Sequence, residues 1–173
     1  MSWNIDQSHS GINFSVKHMM ISTLRGQFTD LSGTFEFDEA NPAATSADIK
    51  IGAASIQTRD DKRDGHLKSP DFLDVANHPY ITFKSTRVEG VNGNNATLIG
   101  DLTIRGVSKE VALDVEYAGQ QKAPWGTTSA GFTAATKINR EDWGLTWNAP
   151  LEFGGVLVGK EIKIEIELEA VKS

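Results

Sequence analysis

Four histidines are the side chains in this sequence with the widest range of possible chemistry. They are His9, His18, His66 and His78, all in the first half of the chain. No two of them have the spacing of a zinc-metalloprotease helix, and none stands at a distance from a carboxylate that is typical of a metal site. The chain also has no cysteine, so neither a cysteine zinc site nor a disulfide can form. We therefore predict no metal site and no catalytic cofactor.

Sequence motifs of catalysis are also missing. The chain has no Gly-x-Ser-x-Gly segment, no phosphate-binding loop and no dinucleotide-binding fingerprint. Asp64 and His66 are close enough in sequence for acid–base chemistry, but such pairs frequently arise by chance. We predict that the protein is not an enzyme. The alternative is an enzyme that acts on an apolar substrate with His18 or His66 as its general base.

The densest charge lies in residues 58–68, which include Arg63 and His66. Segments of this kind commonly form the solvated face of a helix. The alternative is a polar rim around an opening, where Arg63 and His66 would donate charge-assisted hydrogen bonds to a diphosphate, a carboxylate or a quinone oxygen. His18 differs because it shares a strand face with Phe14, so its side chain either caps the strand or donates a hydrogen bond inward.

The charge and length of the chain restrict its partners. The 173 residues carry a net charge of −6, and a negative field disfavours nucleic acids and anionic membrane surfaces as general partners. No apolar run approaches the ~20 residues that span a bilayer, so no membrane-spanning segment is predicted. Length and the lack of a linker predict one domain over residues 1–173. Strand-like sequence begins without a leader, which predicts a cytoplasmic protein, or a periplasmic one if a leader was removed.

Eight segments of the sequence alternate apolar and polar residues with a period of two. The last is the clearest, because Ile162, Ile164, Ile166 and Leu168 share one face and charged residues occupy the other. Successive strand side chains point to opposite sides, so each segment is half buried. The eight segments cover residues 12–18, 24–37, 47–51, 81–85, 98–104, 111–117, 130–138 and 162–168. Eight such strands predict an all-β fold, an antiparallel barrel of the size that can close around one small ligand.

Three irregularities interrupt this pattern. The apolar parity of the second segment slips by one residue at Leu31, which predicts a β-bulge. Residues 58–79 do not alternate, and Ser69-Pro70 has the form of a helix start, so one or two short helices are predicted there. Residues 139–144 begin with a capping asparagine and end at glycine, which predicts a single helical turn.

The predicted inner face does not decide whether the barrel is filled. It is nearly all aliphatic and aromatic, with very small side chains at Gly26, Gly33, Ala47, Gly100, Ala130 and Ala134. Larger neighbours fill such gaps in a packed core, whereas in a container the same residues line a tunnel. Trp143 and Trp147, each with an apolar body and one donor, are candidates to close one end.

Taken in order, several segments resemble the YceI-like, polyisoprenoid-binding protein family. The matching stretches include Ile-Asp-Gln-Ser-His-Ser at residues 5–10, Arg-Asp-Gly-His-Leu-Lys-Ser-Pro-Asp-Phe-Leu-Asp at 63–74, His-Pro-Tyr-Ile-Thr-Phe-Lys-Ser at 78–85, Gly-Asp-Leu-Thr-Ile-Arg-Gly at 100–106 and Asn-Arg-Glu-Asp-Trp-Gly at 139–144. The second stretch is far more specific than any short motif. The resemblance covers essentially the whole chain.

The resemblance implies a lipocalin-like extended barrel with a helical segment beside it and a long apolar tunnel. It also implies that the tunnel holds an amphiphilic chain, such as a polyprenyl diphosphate, a polyprenyl quinone or a fatty amide. We therefore expect a non-enzymatic protein that binds, stores or transports such a lipid and needs no other cofactor. The expected tunnel residues are Phe14, Phe28, Phe35, Leu67, Phe72, Phe83, Gly100, Leu102 and Phe132. The expected head-group residues are His18, Arg63, His66 and Arg140.

A third interpretation stays open beside the carrier and the enzyme. In it the barrel is packed and its outer surface binds a protein partner, which requires an exposed apolar patch. The outer face of the last strand carries Glu165, Glu167 and Glu169, which disfavours such a patch there. An edge-to-edge homodimer remains compatible with the sequence.

Overall fold

The structure is a computed structural model that describes residues 2–151 and 155–172. Within these residues the chain forms eleven strand segments, one α-helix and four short 3-10 turns. The strand segments are β1 (Ser2–Ile5), β2 (Gly11–His18), β3 (Ser22–Phe28), β4 (Leu31–Glu36), β5 (Ser46–Gly52), β6 (Ile56–Gln57), β7 (Tyr80–Asn92), β8 (Asn95–Ile104), β9 (Val107–Lys122), β10 (Thr128–Asn139) and β11 (Glu161–Lys172). The helix α1 spans Asp61–Lys68, and the 3-10 turns span Gln7–His9, Pro42–Ala44, Ala53–Ser55 and Arg140–Trp143.

The strand segments make eight barrel strands, because three strands are interrupted. β1 and β2 are halves of one strand broken at Gln7–His9, β3 and β4 are separated by Thr29 and Asp30, and β5 and β6 are separated by Ala53–Ser55. The pairings are antiparallel in the order β1-β4-β5-β7-β8-β9-β10-β11, and β11 pairs back onto β1. The other halves continue the sheet as β11-β2-β3-β6. The predicted eight-stranded antiparallel barrel is confirmed.

Local hydrogen bonds build the break in the first strand. The Asp6 carboxylate accepts hydrogen bonds from the Ser8 backbone N–H at 3.1 Å and from His9 Nδ1 at 2.8 Å. The Asp6 N–H donates to the Glu169 carbonyl at 2.8 Å, and the Ser10 hydroxyl accepts from the Glu169 N–H at 3.0 Å. These bonds continue the connection to β11 across the break, so β11 pairs with both β1 and β2.

The irregularity predicted at Leu31 is the second strand break. Phe28 ends β3 and Leu31 begins β4, and the two residues between them leave the ladder. The carbonyl of Asp30 instead accepts from the N–H of Gly52 at 2.9 Å. A two-residue interruption therefore stands where the sequence predicted a one-residue bulge. Because of this interruption, the apolar residues of β4 point inward again, as the shift in alternation at Leu31 indicated.

The helix lies within the predicted residues 58–79 but before the start indicated at Ser69-Pro70. α1 begins after Asp60, whose carboxylate accepts from the Arg63 N–H at 3.1 Å, and it ends at Lys68. A short helix in this region is confirmed, but the start predicted at Ser69-Pro70 is wrong, because Ser69 is the C-terminal cap and turns follow it. Acidic residues in the first turn favour the observed start. A residue that precedes proline disfavours helical backbone, which favours the observed end.

The helical turn predicted at residues 139–144 is confirmed. The Asn139 side chain accepts from the Glu141 N–H at 3.0 Å, and Gly144 ends the turn with a φ of 79°. This left-handed backbone is readily accessible to glycine. The turn buries Arg140 and Trp143 at one end of the barrel.

The apolar residues of the strands point inward, as the alternation predicted. In β11, Ile162, Ile164, Ile166 and Leu168 contact the main apolar cluster, and Glu165 between them is exposed. A second apolar cluster lies toward the opposite end from α1, and it comprises Trp3, Phe35, Phe37, Ala130, Phe132 and Ala170. Members of both clusters, among them Ile12 and Phe35, border the same interior space.

The stability that the His9–Asp6 pair adds should depend on pH. The hydrogen bond to Asp6 and the nearby Glu169 charge raise the pKa of His9 above 6.5, and the bond to His9 lowers the pKa of Asp6 below 3.8. The His9 contribution is therefore complete below pH 6.5 and is lost as the pH rises through the raised pKa. The Asp6 contribution is present above pH 3.8 and is lost as the pH falls through the lowered pKa. The His9–Asp6 pair therefore adds its full stability only between pH 3.8 and pH 6.5.

Thermal unfolding of the wild type and of His9→Gln at pH of about 5 and about 9 tests this pair. We expect His9→Gln to lower the Tm at the lower pH and to leave it nearly unchanged at the higher pH. An equal difference in Tm at both pH values would contradict the assignment.

Candidate functional site

The interior of the barrel is hollow. A cavity of about 550 Å³ extends along it and is lined by side chains from all eight barrel strands. This volume lies in the range of cavities that hold small molecules. Inward-facing residues such as Leu98, Ile162 and Ile164 are only half buried, because they border this space rather than packed neighbours. The question that the sequence left open is answered in favour of an open interior.

Nearly all the predicted tunnel residues lie on the cavity wall. They are Phe14, Phe28, Phe35, Leu67, Phe72, Phe83, Leu102 and Phe132. Gly100 does not line the cavity, and its placement there is wrong. It faces inward, but the Phe83 ring covers it, and a Cβ at Gly100 would lie 2.6 Å from both that ring and the Lys84 carbonyl oxygen. A larger residue at this position would displace the neighbouring strand instead of filling the cavity.

One end of the cavity, called the mouth here, lies where the barrel is least completely paired. In the described part of the chain β6 is two residues long and pairs with β3 alone, and the pairing of β5 with β7 ends at Gly52 and Tyr80. α1 contacts β6 beside this gap. The helix and the turns after it add Leu67 and Phe72 to the cavity wall. The break between β5 and β6 thus leaves the gap beside β6 in which α1 lies.

The four predicted head-group residues all line the cavity at the mouth. His18 ends β2, Arg63 and His66 lie on α1, and Arg140 follows β10. The structure therefore brings together side chains from distant parts of the sequence. Their hydrogen-bond partners differ, and these partners decide which groups are available to a ligand.

The side chain of Arg63 is held by Thr58, which lies just before the start of α1. Its Nε donates to Thr58 Oγ1 at 2.8 Å, and its NH2 donates to the Thr58 carbonyl. Asp64 accepts from the Thr58 N–H at 2.9 Å and from the Thr58 hydroxyl. Thr58 is buried. The Arg63 charge is therefore fixed at the mouth with Asp64 close to it.

His66 is part of an aromatic group at the mouth. Its Nε2 donates to Asp71 Oδ2 at 2.7 Å. Its ring meets Phe72 and Trp147 edge to face, with centroid distances of 5.1 and 4.6 Å. Trp147 therefore lines the cavity beside His66 at the mouth. Trp143 does not, because it is buried in the core and its Nε1 donates to the carbonyl of Leu102 at 2.9 Å.

Arg140 is a buried cation that organises the connection between β10 and β11. It is 2% exposed. Its guanidinium donates to the backbone carbonyls of Leu145, Trp147, Val158 and Gly159 at 2.6, 3.0, 3.4 and 2.8 Å. Burial lowers the pKa of Arg140, and the Glu141 charge opposes this effect. Carbonyl dipoles, rather than a directly bonded carboxylate, balance its charge beside the cavity.

His18 is the head-group candidate whose side chain stays available. It is half buried on the cavity wall. Among the described residues, its imidazole has no hydrogen-bond partner, and its backbone bridges to Val158. Of the four predicted residues, His18 is thus the one whose side chain makes no hydrogen bond to another described residue, whereas Arg63 and His66 are each bonded through part of the side chain.

The opposite end of the cavity contains a polar pair that the sequence analysis missed. The Tyr117 hydroxyl donates to Glu39 Oε2 at 2.7 Å, and both residues line the cavity. Burial, followed by the bond to Glu39, raises the pKa of Tyr117 to about 12. Phe37 and Phe132 contact the Tyr117 ring at 4.8 and 5.3 Å between centroids. The alternation of its strand had placed Tyr117 on the inner face. Glu39 lies in a turn, where no periodic pattern indicates that a side chain faces the cavity.

One cluster of possible metal ligands lies away from the cavity. Within the described residues, donor atoms of Asp6, His9 and Glu169 lie within 4.8 Å of one another. The hydrogen bonds that join Asp6 to His9 and to Ser8 account for this cluster as part of the first strand break. It contributes no group to the mouth.

A closed antiparallel barrel of eight strands around an apolar cavity is a lipocalin-like architecture, the class in which the interior holds a small ligand. Comparison with known proteins identifies the particular family. Residues 3–170 match the YceI-like domain, and the chain belongs to that family.

One relative agrees with this assignment in sequence, and two solved structures share the fold. The chain is 40% identical to protein YceI of Escherichia coli over 164 residues, which are 95% of this chain and 82% of that protein. Burkholderia cenocepacia BcnA has a similar fold, with a TM-score of 0.83, 24% identity and coverage of 95% of this chain and 98% of that one. A polyisoprenoid binding domain from Saccharophagus degradans also shares the fold, with a TM-score of 0.71, 16% identity and 97% coverage of both chains.

The helices of the described residues are all short or polar in comparison with a membrane-spanning helix. None of them has the length and apolar character needed to cross a bilayer.

Replacing Arg140 should destabilise the mouth strongly. Arg140→Met leaves buried carbonyl groups without donors, and we expect the free energy of unfolding to fall by about 3 kcal/mol or more. Urea denaturation gives this value. The control is Arg87→Met, which removes an exposed arginine paired with Glu89 and Glu110 and should change stability by about 0.5 kcal/mol or less. Equal effects of the two variants would contradict the role assigned to Arg140.

Proposed function

We propose that this protein binds, stores or transports a long-chain isoprenoid-type amphiphile in the barrel interior, without catalysis. The observation that carries the proposal is the apolar cavity of about 550 Å³, whose wall includes side chains of every barrel strand. Family membership supports it, as does the shared fold of a domain described as polyisoprenoid binding. Suitable ligands are a polyprenyl diphosphate, a polyprenyl quinone or a fatty amide.

The hydrocarbon tail supplies most of the affinity in this proposal. Burial of apolar surface contributes roughly 25 cal/mol per Å², so about 300 Å² of tail yields ~7 kcal/mol before the entropy cost of association. The wall offers aliphatic and aromatic side chains to the tail along its length. Binding therefore requires no specific bond to the tail.

The polar groups at the two ends orient the ligand. The mouth carries the cationic side chains of Arg63 and Arg140 and the available imidazole of His18. The far end carries the Glu39 carboxylate, bonded to Tyr117. An anionic or oxygen-rich head group is attracted to the mouth and disfavoured at the far end. We therefore place the head group at the mouth and the tail end near the aromatic cluster.

An enzyme acting on the bound lipid is the second candidate. The observation that favours it is the His66–Asp71 hydrogen bond at the mouth, an arrangement that also orients catalytic histidines. The carrier proposal requires that the bound lipid be recovered chemically unchanged. Turnover of added lipid that is lost in His66→Gln would favour the enzyme instead.

Native mass spectrometry of the protein as purified tests the carrier function. We expect one long-chain amphiphile per protein molecule, released unchanged on denaturation and raising the Tm when added back. A protein that is empty as purified, and that neither binds nor is stabilised by added polyprenyl lipids, would contradict the proposal.

A pair of neighbouring substitutions tests the location of the ligand. Ala134 lines the cavity, and the next residue, Ala135, is exposed on the outer face of the same strand. Ala134→Phe should fill part of the cavity and weaken lipid binding at least about tenfold, which corresponds to ~1.4 kcal/mol. Ala135→Phe adds the same side chain outside and should leave the affinity unchanged. Equal affinities in a lipid-binding titration would place the ligand elsewhere.

A further inference from the structure

The turn between β2 and β3 has an unusual backbone for its sequence. Met19 and Met20 both have positive φ, 53° and 64°. The turn is closed by a hydrogen bond from the Ile21 N–H to the His18 carbonyl at 3.2 Å. Two successive left-handed residues are typical of Asn-Gly, because side chains larger than these are disfavoured there. Strain of this kind persists in structures mainly where function requires it.

The same turn exposes its apolar side chains. Met19, Met20 and Ile21 are 42%, 64% and 84% exposed. A hairpin turn is normally built from polar residues and glycine. Met20 also lies against Gly155, and Val156 beside it is another exposed apolar residue. Met19, Met20, Ile21 and Val156 form a continuous apolar surface, called the mouth patch here.

The mouth patch adjoins the opening of the cavity. The Met19 N–H donates to the Leu157 carbonyl at 2.7 Å. The preceding residue, His18, bridges to Val158, and these two residues and Leu157 all line the cavity. The patch side chains themselves do not line it. They therefore stand outside the opening, next to the path that any guest must take.

The size of the mouth patch decides between two occupants. A stable interface between two copies of a protein buries about 800 Å² on each partner, more than the exposed parts of four side chains offer. A lipid bilayer accepts a small apolar tip because it needs no matching shape. The mouth patch therefore fits a bilayer surface better than a second copy of the chain.

The distribution of charge is consistent with that orientation. Lys17 is exposed at the patch, and its Nζ donates to Thr23 Oγ1 at 3.3 Å. Along β11, the exposed Glu161 and Lys163 lie at the mouth end and carry opposite charges, whereas the outward Glu165 and Glu167 lie farther from the mouth. The mouth end of β11 thus carries balanced charges and its purely acidic part is turned away when the mouth faces a membrane, which reduces the repulsion of this strand from anionic lipids.

We propose that the mouth patch inserts into the interfacial region of a lipid bilayer and holds the cavity opening against it. The guest then passes between the membrane and the cavity without crossing water. The inference rests on the proposed function for the identity of the guest, but membrane contact itself is measured separately. The strained turn is retained because it projects apolar side chains beyond the rim.

The test replaces Met19 and Met20 by Asn and Gly, the residues that favour the backbone of this turn. Met19→Asn/Met20→Gly should leave the Tm unchanged or raise it, because Asn-Gly relieves the strained φ angles. The matched control is Trp125→Asn, which removes an equally prominent apolar side chain, 79% exposed, in the turn between β9 and β10. Cosedimentation with vesicles of phosphatidylcholine and a minor fraction of phosphatidylglycerol measures membrane binding. We expect the double variant to bind about tenfold more weakly, and Trp125→Asn to bind like the wild type.

Uptake of a fluorescently labelled polyprenol separates docking from binding. The double variant should take up the probe from detergent micelles as the wild type does, and about tenfold more slowly from the same vesicles. Vesicle binding that is absent in the wild type, or equal in the double variant, would overturn the inference. A change from dimer to monomer in the double variant, without vesicle binding by the wild type, would assign the patch to a second copy. Failure of the wild type to take up the probe even from micelles would instead contradict the proposed function.

Discussion

At the end of the barrel away from the mouth, the cavity depends on one short pairing, between β1 and the two strands beside it. Trp3 in β1 pairs with Phe35 on β4 and with Lys172 on β11. Its ring is fully buried, and its Nε1 donates to the Phe37 carbonyl at 3.1 Å. Without this closure, β4 and the end of β11 would each present an unpaired edge, and the inner wall at that end would be an apolar face open to water. A four-residue segment thus closes one half of the wall, and β2 closes the other half through its pairing with β11 and β3.

A hollow barrel obtains its rigidity from the wall and not from a filled core. Protein interiors are normally close-packed, and a cavity gives up the contacts that a packed core would make. Here the long strands compensate through their ladders, with sixteen residues in β9 and thirteen in β7. Because closure pairs the backbone all around, the inner side chains need not touch one another to keep the shape. They can adjust to the outline of a hydrocarbon chain, which suits binding by area rather than by fixed contacts.

The sequence predicted what depends on the period of a strand, and it failed where neighbouring strands or loops decide. Alternation alone assigned Phe14, Phe83 and Leu102 to the inner face, and all of them line the cavity. Gly100 shares that face but is covered by a ring from the next strand, which strand parity cannot reveal. The Tyr117–Glu39 bond joins residues 78 positions apart through a turn without periodicity.

The head-group residues illustrate the same limit and have a chemical consequence. Parity and resemblance brought Arg140 to the mouth, but loop carbonyls that no pattern reports already occupy its donors. Arg63 is likewise committed to Thr58. A head group at the mouth would therefore meet the field of two fixed cations and the N–H groups of Arg63 that Thr58 does not bond. Such a field falls off gradually with distance and has little directional preference, whereas His18 offers one directional bond. This combination favours oxygen-rich head groups as a class over any single geometry, so the proposed ligands, a diphosphate, a quinone and an amide, are compatible with one mouth.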